Sequence, residues 1–364
     1  MNCANASTRQ MALPISSLYP RCEPGFRVPA YWKVGVLCID PNLADNRERW
    51  AQYAALTRNG LFVYGGKTDQ YNSYSYTSAP NSNDLLFLPL NNSFDSTSPP
   101  WELLIGSSNA TEEPWPAVAW HTLSTINDSC FMLFGGQPDP NSATVLSGLP
   151  DSTSFLYLTD GGQPYWVPEP QSWGNQPTRR IRHSSTAVNS PLIFIIGGEK
   201  ADGSANAYSD NYVFDINRSN FVSLPNNTGP GGIFGHSSVV LSDGRLLVFG
   251  GYSQSRSLLV PLSEIWLLDT RGISSNWSLI EVSNASLPTP RRDFAATLLY
   301  NDKVLIHGGA DAALQQNYAD GWVLDTSVHP MTWGGVGTLS QLGPRRNHFA
   351  VSSGNQVLFG FGRY

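Results

Sequence analysis

Apolar and polar positions along this chain alternate in short runs broken by Gly, Ser, Asn and Pro, and the runs come in a recurring order. Residues 236–253, HSSVVLSDGRLLVFGGYS, show the unit: an apolar run from His236 to Leu241, a turn on Ser242, Asp243 and Gly244, then LLVF leading into Gly250 and Gly251. Two short apolar runs around a Gly-bearing turn predict a β-hairpin. The terminal diglycine predicts a strand that stops abruptly in a crowded place, because a residue without Cβ adopts positive φ and lets a second backbone approach.

The unit repeats. LFVYGG ends on Gly65 and Gly66, FMLFGG on Gly135 and Gly136, IFIIGG on Gly197 and Gly198, KVLIHGG on Gly308 and Gly309, and QVLFGFG at 356–362 is a degenerate sixth copy. His121, His183, His236 and Phe294 each stand 14 positions before the first glycine of their unit. A third apolar run follows each diglycine, at 84–90, 154–160, 211–216, 264–270 and 321–326. A fourth opens on an aromatic residue, Trp101, Trp166, Phe221, Trp277 or Trp333.

The first glycines at 65, 135, 197, 250 and 308 are separated by 70, 62, 53 and 58 residues. Four short strands at a period near 50 indicate a radial array of blades of the kelch kind, with a longer repeat than WD40. On these diglycine strands, and on the Arg-x-x-His leads Arg180 to His183 and Arg345 to His348, the chain resembles kelch-repeat β-propellers. It is similar to the fungal proteins described as like the galactose oxidase central domain. The resemblance covers 47–364 and implies an all-β propeller of six four-stranded blades, with seven as the alternative. The blades are expected at 47–104, 117–170, 179–225, 233–282, 291–336 and 345–364, the last incomplete. Residues 1–46 form an N-terminal arm. Within it AYWKVGVLCID (30–40) reads as a strand that either closes the ring beside 345–362 or lies across its side.

Composition narrows the function. With 41% apolar residues the chain can bury a large core, and with 14% charged it is poor in charge for a soluble domain. A net charge of −6 argues against a nucleic-acid partner, which needs a basic surface. No run approaches the ~20 apolar residues of a membrane span. The start, MNCANASTRQMALPISSLYP, lacks the basic and apolar regions of a signal peptide. Proteins similar to this one often continue past the propeller into a polar tail and a spanning helix, which implies an extracellular or cell-surface location.

Eight sequons head Asn-X-Ser/Thr, at Asn5, Asn91, Asn109, Asn127, Asn217, Asn226, Asn276 and Asn284, in turns or linkers for all but Asn5. Four cysteines, Cys3, Cys22, Cys38 and Cys130, allow three pairings. Sequons and cysteines together predict a glycosylated, at least partly oxidised protein.

Candidate chemistry is sparse. His121, His183, His236 and His348 occupy the repeat's own position and read as hydrogen-bonding spacers of the fold. His307 replaces the apolar residue found at Tyr64, Phe134, Ile196 and Phe249. A copper-radical oxidase needs a Cys–Tyr crosslink, a second Tyr and two His around copper, and none of the four cysteines sits in a suitable loop. No nucleophile elbow, metalloprotease helix or phosphate loop is present. The reading is therefore a non-enzymatic, cofactor-free, monomeric module presenting its loops to a protein or glycan. A secreted carbohydrate-active oxidase or hydrolase using the central channel is the alternative.

Two features point to where a ligand docks. The loop at 67–83 carries Tyr71, Tyr74 and Tyr76, residues that give broad contact area at small entropic cost. The loops leading into the first strands carry Arg47, Arg49, Arg179, Arg180, Arg182, Arg291, Arg292, Arg345 and Arg346, half of the arginines in the chain. The loops expected to face them hold Asp69, Asp139, Glu199, Asp202 and Asp311. These charges either bridge internally or leave guanidinium forks for bidentate capture of carboxylates.

Overall fold

The computed structural model describes residues 35–38, 48–69, 75, 77–95, 98–104, 115–139, 152–168, 175–188, 191–225, 229–271 and 276–364. Each repeat forms one antiparallel sheet whose strands follow chain order. Blade one holds Tyr53–Leu56, Gly60–Tyr64, Leu85–Pro89 and Glu102–Leu104. Blade two holds Val118–Asn127, Cys130–Pro138, Thr153–Leu158 and Pro164–Pro168. Blade three is built from Ser184–Ala187, Leu192–Ile196, Tyr212–Asp215 and Asn220–Ser223, and blade four from Ser237–Val240, Arg245–Phe249, Ile265–Asp269 and Ser278–Ile280. Blade five comprises Ala295–Leu298, Val304–His307, Gly321–Asp325 and Thr332–Gly335.

Blade six has two strands of its own, Phe349–Ser353 and Gln356–Gly360, and takes a third from the N-terminal region. Strand Gly35–Cys38 pairs in parallel with Gln356–Gly360, setting Gly35 against Gln356 and Cys38 against Phe359.

The cores lie between blades, because the middle strands are apolar on both faces and each face needs a neighbour. Phe62 and Leu85 of blade one pack with Phe131, Leu156 and Trp166 of blade two. Met132 and Phe155 meet Ile193 and Phe221 at the next junction. Further clusters join blades three and four, four and five, and five and six. The last joins six to one, through Phe349, Leu358 and Phe361 against Leu61, Val63 and Leu88. Each fully buried Phe or Leu stabilises its junction by about 1.5–3 kcal/mol, so a missing junction would be expensive.

A closed circle of backbone hydrogen bonds fixes the blade number at six. Ala51, Trp120, Arg182, Gly235, Asp293 and Asn347 stand at equivalent positions where the six innermost strands begin, Trp120 inside Val118–Asn127 and the other five two positions before theirs. Trp120 donates its N–H to the Ala51 carbonyl, Arg182 to Trp120, Gly235 to Arg182, Asp293 to Gly235, Asn347 to Asp293 and Ala51 to Asn347, over 2.8–3.2 Å. All six have φ between 51° and 63°. Five are not glycine, and the left-handed backbone disfavours them by ~1 kcal/mol or more each. The circle offsets that cost by satisfying one donor and one acceptor per blade in the crowded centre.

Candidate functional site

The innermost strands lead away from this circle, the second strands return to it, and the diglycines end there. Segments before the first strand and after the diglycine therefore share one face, and they pair: Glu48–Trp50 with Lys67–Asp69, Arg180–Ile181 with Glu199–Lys200, Ile233–Phe234 with Tyr252–Ser253. Isolated bridges do the same for Arg292 with Ala310 and Arg346 with Arg363. This rim is the mouth. Beneath it lies a cavity of about 210 Å³ along the axis, lined by Gln52, Tyr53, Ser185, Ser238, Ala296 and Val351 among others. The Tyr53 hydroxyl reaches from blade one to the Ser185 carbonyl of blade three, 3.3 Å away.

The leading histidines seal blade junctions rather than form a site. The His183 ring Nε2 lies 2.9 Å from Thr122 Oγ1 of the preceding blade, and His236 Nε2 lies 2.9 Å from Ser184 Oγ. His348 Nε2 pairs with His307 Nδ1 at 3.0 Å, and His307 Nε2 is 3.1 Å from the Ala319 carbonyl. Burial holds these rings neutral: His121 and His236 are lowered to about 3 and His307 to about 4, with His183 and His348 well below the ordinary value. Among the described residues, no three His, Cys, Asp or Glu side chains converge as a metal site would require.

The arginines divide into two sets. Arg180, Arg291 and Arg345 point into their own blades and are at most 3% exposed. Arg180 and Arg291 each form a two-pronged pair with a carboxylate, Asp210 and Asp320, and donate to the carbonyl of the first glycine, Gly197 or Gly308. Arg345 donates to the carbonyls of Phe361 and Leu342 and to Tyr364 Oη. Tyr208, Tyr318 and Tyr364 cover the three guanidinium planes at 4.4, 4.6 and 4.8 Å. Arg49 makes the same kind of bridge to Gly65 and Asp84. Sequence reading missed Asp84, Asp210 and Asp320 as partners, although each stands one or two residues before a third strand.

The second set faces the mouth. Arg182 pairs with Glu199 at 2.5 Å, lies 3.9 Å from Asp293 and sits 4.9 Å from the Trp120 ring. Arg292 bonds Asp293 at 3.1 Å and covers Phe234 at 4.6 Å. Burial raises the Glu199 carboxyl while Arg182 and Arg292 oppose that shift. Arg346 reaches the Leu314 carbonyl and Asn317 Oδ1, Arg363 stacks on Trp50, and Arg179 donates to the Gly135 carbonyl. Lys67, lowered to about 8 by burial, donates to the Ala79 carbonyl and Asn81 Oδ1 beside Trp120. Arg292 Nη2 and Arg363 Nη1 are buried without an acceptor among the described residues.

Other expected carboxylates serve their own loops. Asp202 accepts from the Ser204 N–H, Asp311 from those of Gln315 and Gln316, and Asp139 from that of Asn81. Tyr71, Tyr74, Tyr76, Arg47, Asn5, Asn109, Asn226, Cys3 and Cys22 lie outside the described residues.

Six blades, five of them ending on a diglycine, Arg-x-x-His junctions and a polar mouth agree with a match over residues 120–362 to the family of the KLHDC2/KLHL20/DRC7 Kelch-repeats domain. The chain belongs to this kelch family. Among curated proteins it is similar to Adagio-like protein 1 of Oryza sativa subsp. japonica, 28% identical over 69% of this chain and 38% of that protein. It is likewise similar to Adagio protein 3 of Arabidopsis thaliana, 28% identical over 62% of this chain and 35% of the relative. The kelch chain thus spans less than two fifths of these relatives. Among its described residues no helix is long and apolar enough to cross a membrane.

Proposed function

We propose that this kelch chain is a non-enzymatic interaction module that takes an acidic peptide at the arginine-bearing mouth. A kelch domain suggests protein partners. The observation that carries the acidic preference is the pair of orphaned donors, Arg292 Nη2 and Arg363 Nη1, on neighbouring blades five and six. A buried guanidinium donor without an acceptor costs about 1–3 kcal/mol, more when charged, and a ligand carboxylate would relieve it with a charge-assisted bond. Arg180, Arg291 and Arg345 hold the blades and leave the ligand to Arg182, Arg292, Arg346 and Arg363, with Arg179 and Glu199 at the margin.

The same reading puts the module outside the cell, as a monomer on the cell surface or secreted, and keeps the likeness to fungal proteins resembling the galactose oxidase central domain. Support for an oxidising compartment comes from Cys130, buried in its strand and disulfide-bonded.

The test titrates a fluorescent hexaglutamate peptide into the wild type and into the double variant Arg292→Gln, Arg363→Gln. Binding should weaken at least tenfold in the variant and in high salt. Equal affinity for both proteins would reject the mouth as an acidic-peptide site.

A further inference from the structure

Of the five sequon asparagines among the described residues, four lie on one face of the disc. The first-to-second and third-to-fourth turns of each blade lie at the strand ends away from the hydrogen-bonded circle, so they form the face opposite the mouth. Asn127 closes the first strand of blade two on that face. Asn91, Asn217 and Asn276 occupy the third-to-fourth connections of blades one, three and four, and all three are exposed. Asn284, also exposed, follows the last strand of blade four. None of these five described asparagines lies in the paired segments that build the mouth. At Asn127 the side-chain Oδ1 already accepts from the N–H of Ser129 at 2.9 Å and from its hydroxyl at 3.2 Å, so the sequon's own hydroxyl is folded onto the amide.

We infer that the propeller is N-glycosylated on its turn face, at Asn91, Asn127, Asn217 and Asn276, and that this one-sided coat leaves the mouth as the open docking face. The inference rests on the extracellular reading above. The co-reactant is a lipid-diphosphate oligosaccharide of the secretory pathway. Asparagine Nδ2 attacks the anomeric carbon, a carbon–nitrogen bond forms, the carbon–oxygen bond to the diphosphate breaks, and the amide loses one proton as the lipid diphosphate leaves. The turns can carry such bulk because they are at the surface, with Asn91, Asn217 and Asn276 exposed and Asn127 half-buried.

The mouth has a built-in control. Asp202 is exposed in the loop after the third diglycine and is followed by Gly203 and Ser204, so Asp202→Asn creates a sequon there. The wild-type chain and Asp202→Asn are secreted from a eukaryotic host behind an added leader. Occupied sites are mapped by mass spectrometry as Asn-to-Asp conversions after peptide N-glycosidase treatment in heavy-oxygen water. Occupancy is expected at the four turn-face asparagines. Unmodified turn-face asparagines in chains whose position 202 is modified would overturn the inference.

Binding of the hexaglutamate peptide gives the second readout. Removing the wild-type glycans should change affinity less than twofold, whereas the glycan added through Asp202→Asn should weaken it at least tenfold until it is removed. A tenfold gain on deglycosylating the wild type would show glycans over the mouth and overturn the one-sided arrangement. Wild type that ignores the peptide in every form would fail the acidic-peptide reading and leave the occupancy map to decide this one. Chain purified from its own source without any glycan would instead sink the extracellular reading.

Discussion

Gly362 donates its backbone N–H to the Arg49 carbonyl at 2.8 Å, tying the last blade to the segment that leads into the first. The same bond recurs at other junctions, from Gly66 to Val118, Gly198 to Ile233, Gly251 to Arg291 and Gly309 to Arg345. Each links the second glycine of one blade to the residue three places before the next blade's leading side chain. The diglycine is therefore a joint between blades as well as the end of a strand.

Replacing the first glycine of a joint should disable it. A Cβ on Gly135, whose φ is +70°, would lie 2.4 Å from the Arg180 carbonyl oxygen and 2.7 Å from His183 Cε1. The neighbour is backbone, which cannot rotate away. Gly135→Ala should destabilise the protein by about 3 kcal/mol or more, read from urea midpoints. Gly203→Ala, also at positive φ but with nothing within 4 Å, should cost clearly less.

The buried arginines predict a different signature. Arg291 has no exposed side-chain surface, and both prongs reach Asp320 at 2.7 and 2.8 Å. Arg291→Ala should cost about 3–5 kcal/mol by removing the donor to the Gly308 carbonyl and the countercharge of Asp320, the high end being reduced because Asp320 is 43% exposed and keeps the bond from Trp322 Nε1. Arg292→Gln at the mouth should cost less than about 1 kcal/mol, since one of its donors is unsatisfied already. Paired thermal and urea denaturation of the two variants checks the contrast.

The six-blade plan was legible because a strand of period two, a glycine-bearing turn and a diglycine leave a fixed spacing in the chain, and that spacing survives loops of different length. Blade one shows the limit. Its hairpin is one residue shorter, so Gln52, not the residue 14 places before Gly65, lies where a histidine lies in blade two; the Cβ vectors of Gly66 and Gly136 meet Gln52 and His121 respectively. Pairing of the rim arginines was less legible. Arg180 and Arg182 are two residues apart, yet one turns into its blade toward Asp210 and the other over the channel toward Glu199 and Asp293. That choice depends on the left-handed backbone at Arg182 and on Gly235 lacking a side chain between Arg182 and Asp293, which spacing alone does not reveal.

Acid should loosen the ring from its junctions. His121 and His236 are lowered by burial from 6.5 to about 3, so the folded state stays neutral where the unfolded chain takes up protons. Their contribution is complete above pH 6.5 and falls as pH drops from 6.5 toward 3, by about 1.4 kcal/mol per histidine per pH unit. Phe294 fills the equivalent position in blade five, and neither ring nitrogen of His121 has a side-chain partner. His121→Phe should therefore match the wild type near pH 7.5 and exceed it at pH 5, with a shallower fall in melting temperature between them.

On the proposed reading, ligand meets the mouth and not the turns. Hydrogen exchange of the kelch chain with saturating hexaglutamate peptide addresses it directly, because the two faces fall in different peptides. Slowed exchange is expected at 310–318, 344–347 and 361–364, around Arg292, Arg346 and Arg363. Protection confined to turns such as 127–129 and 216–219, with the mouth unchanged, would contradict it.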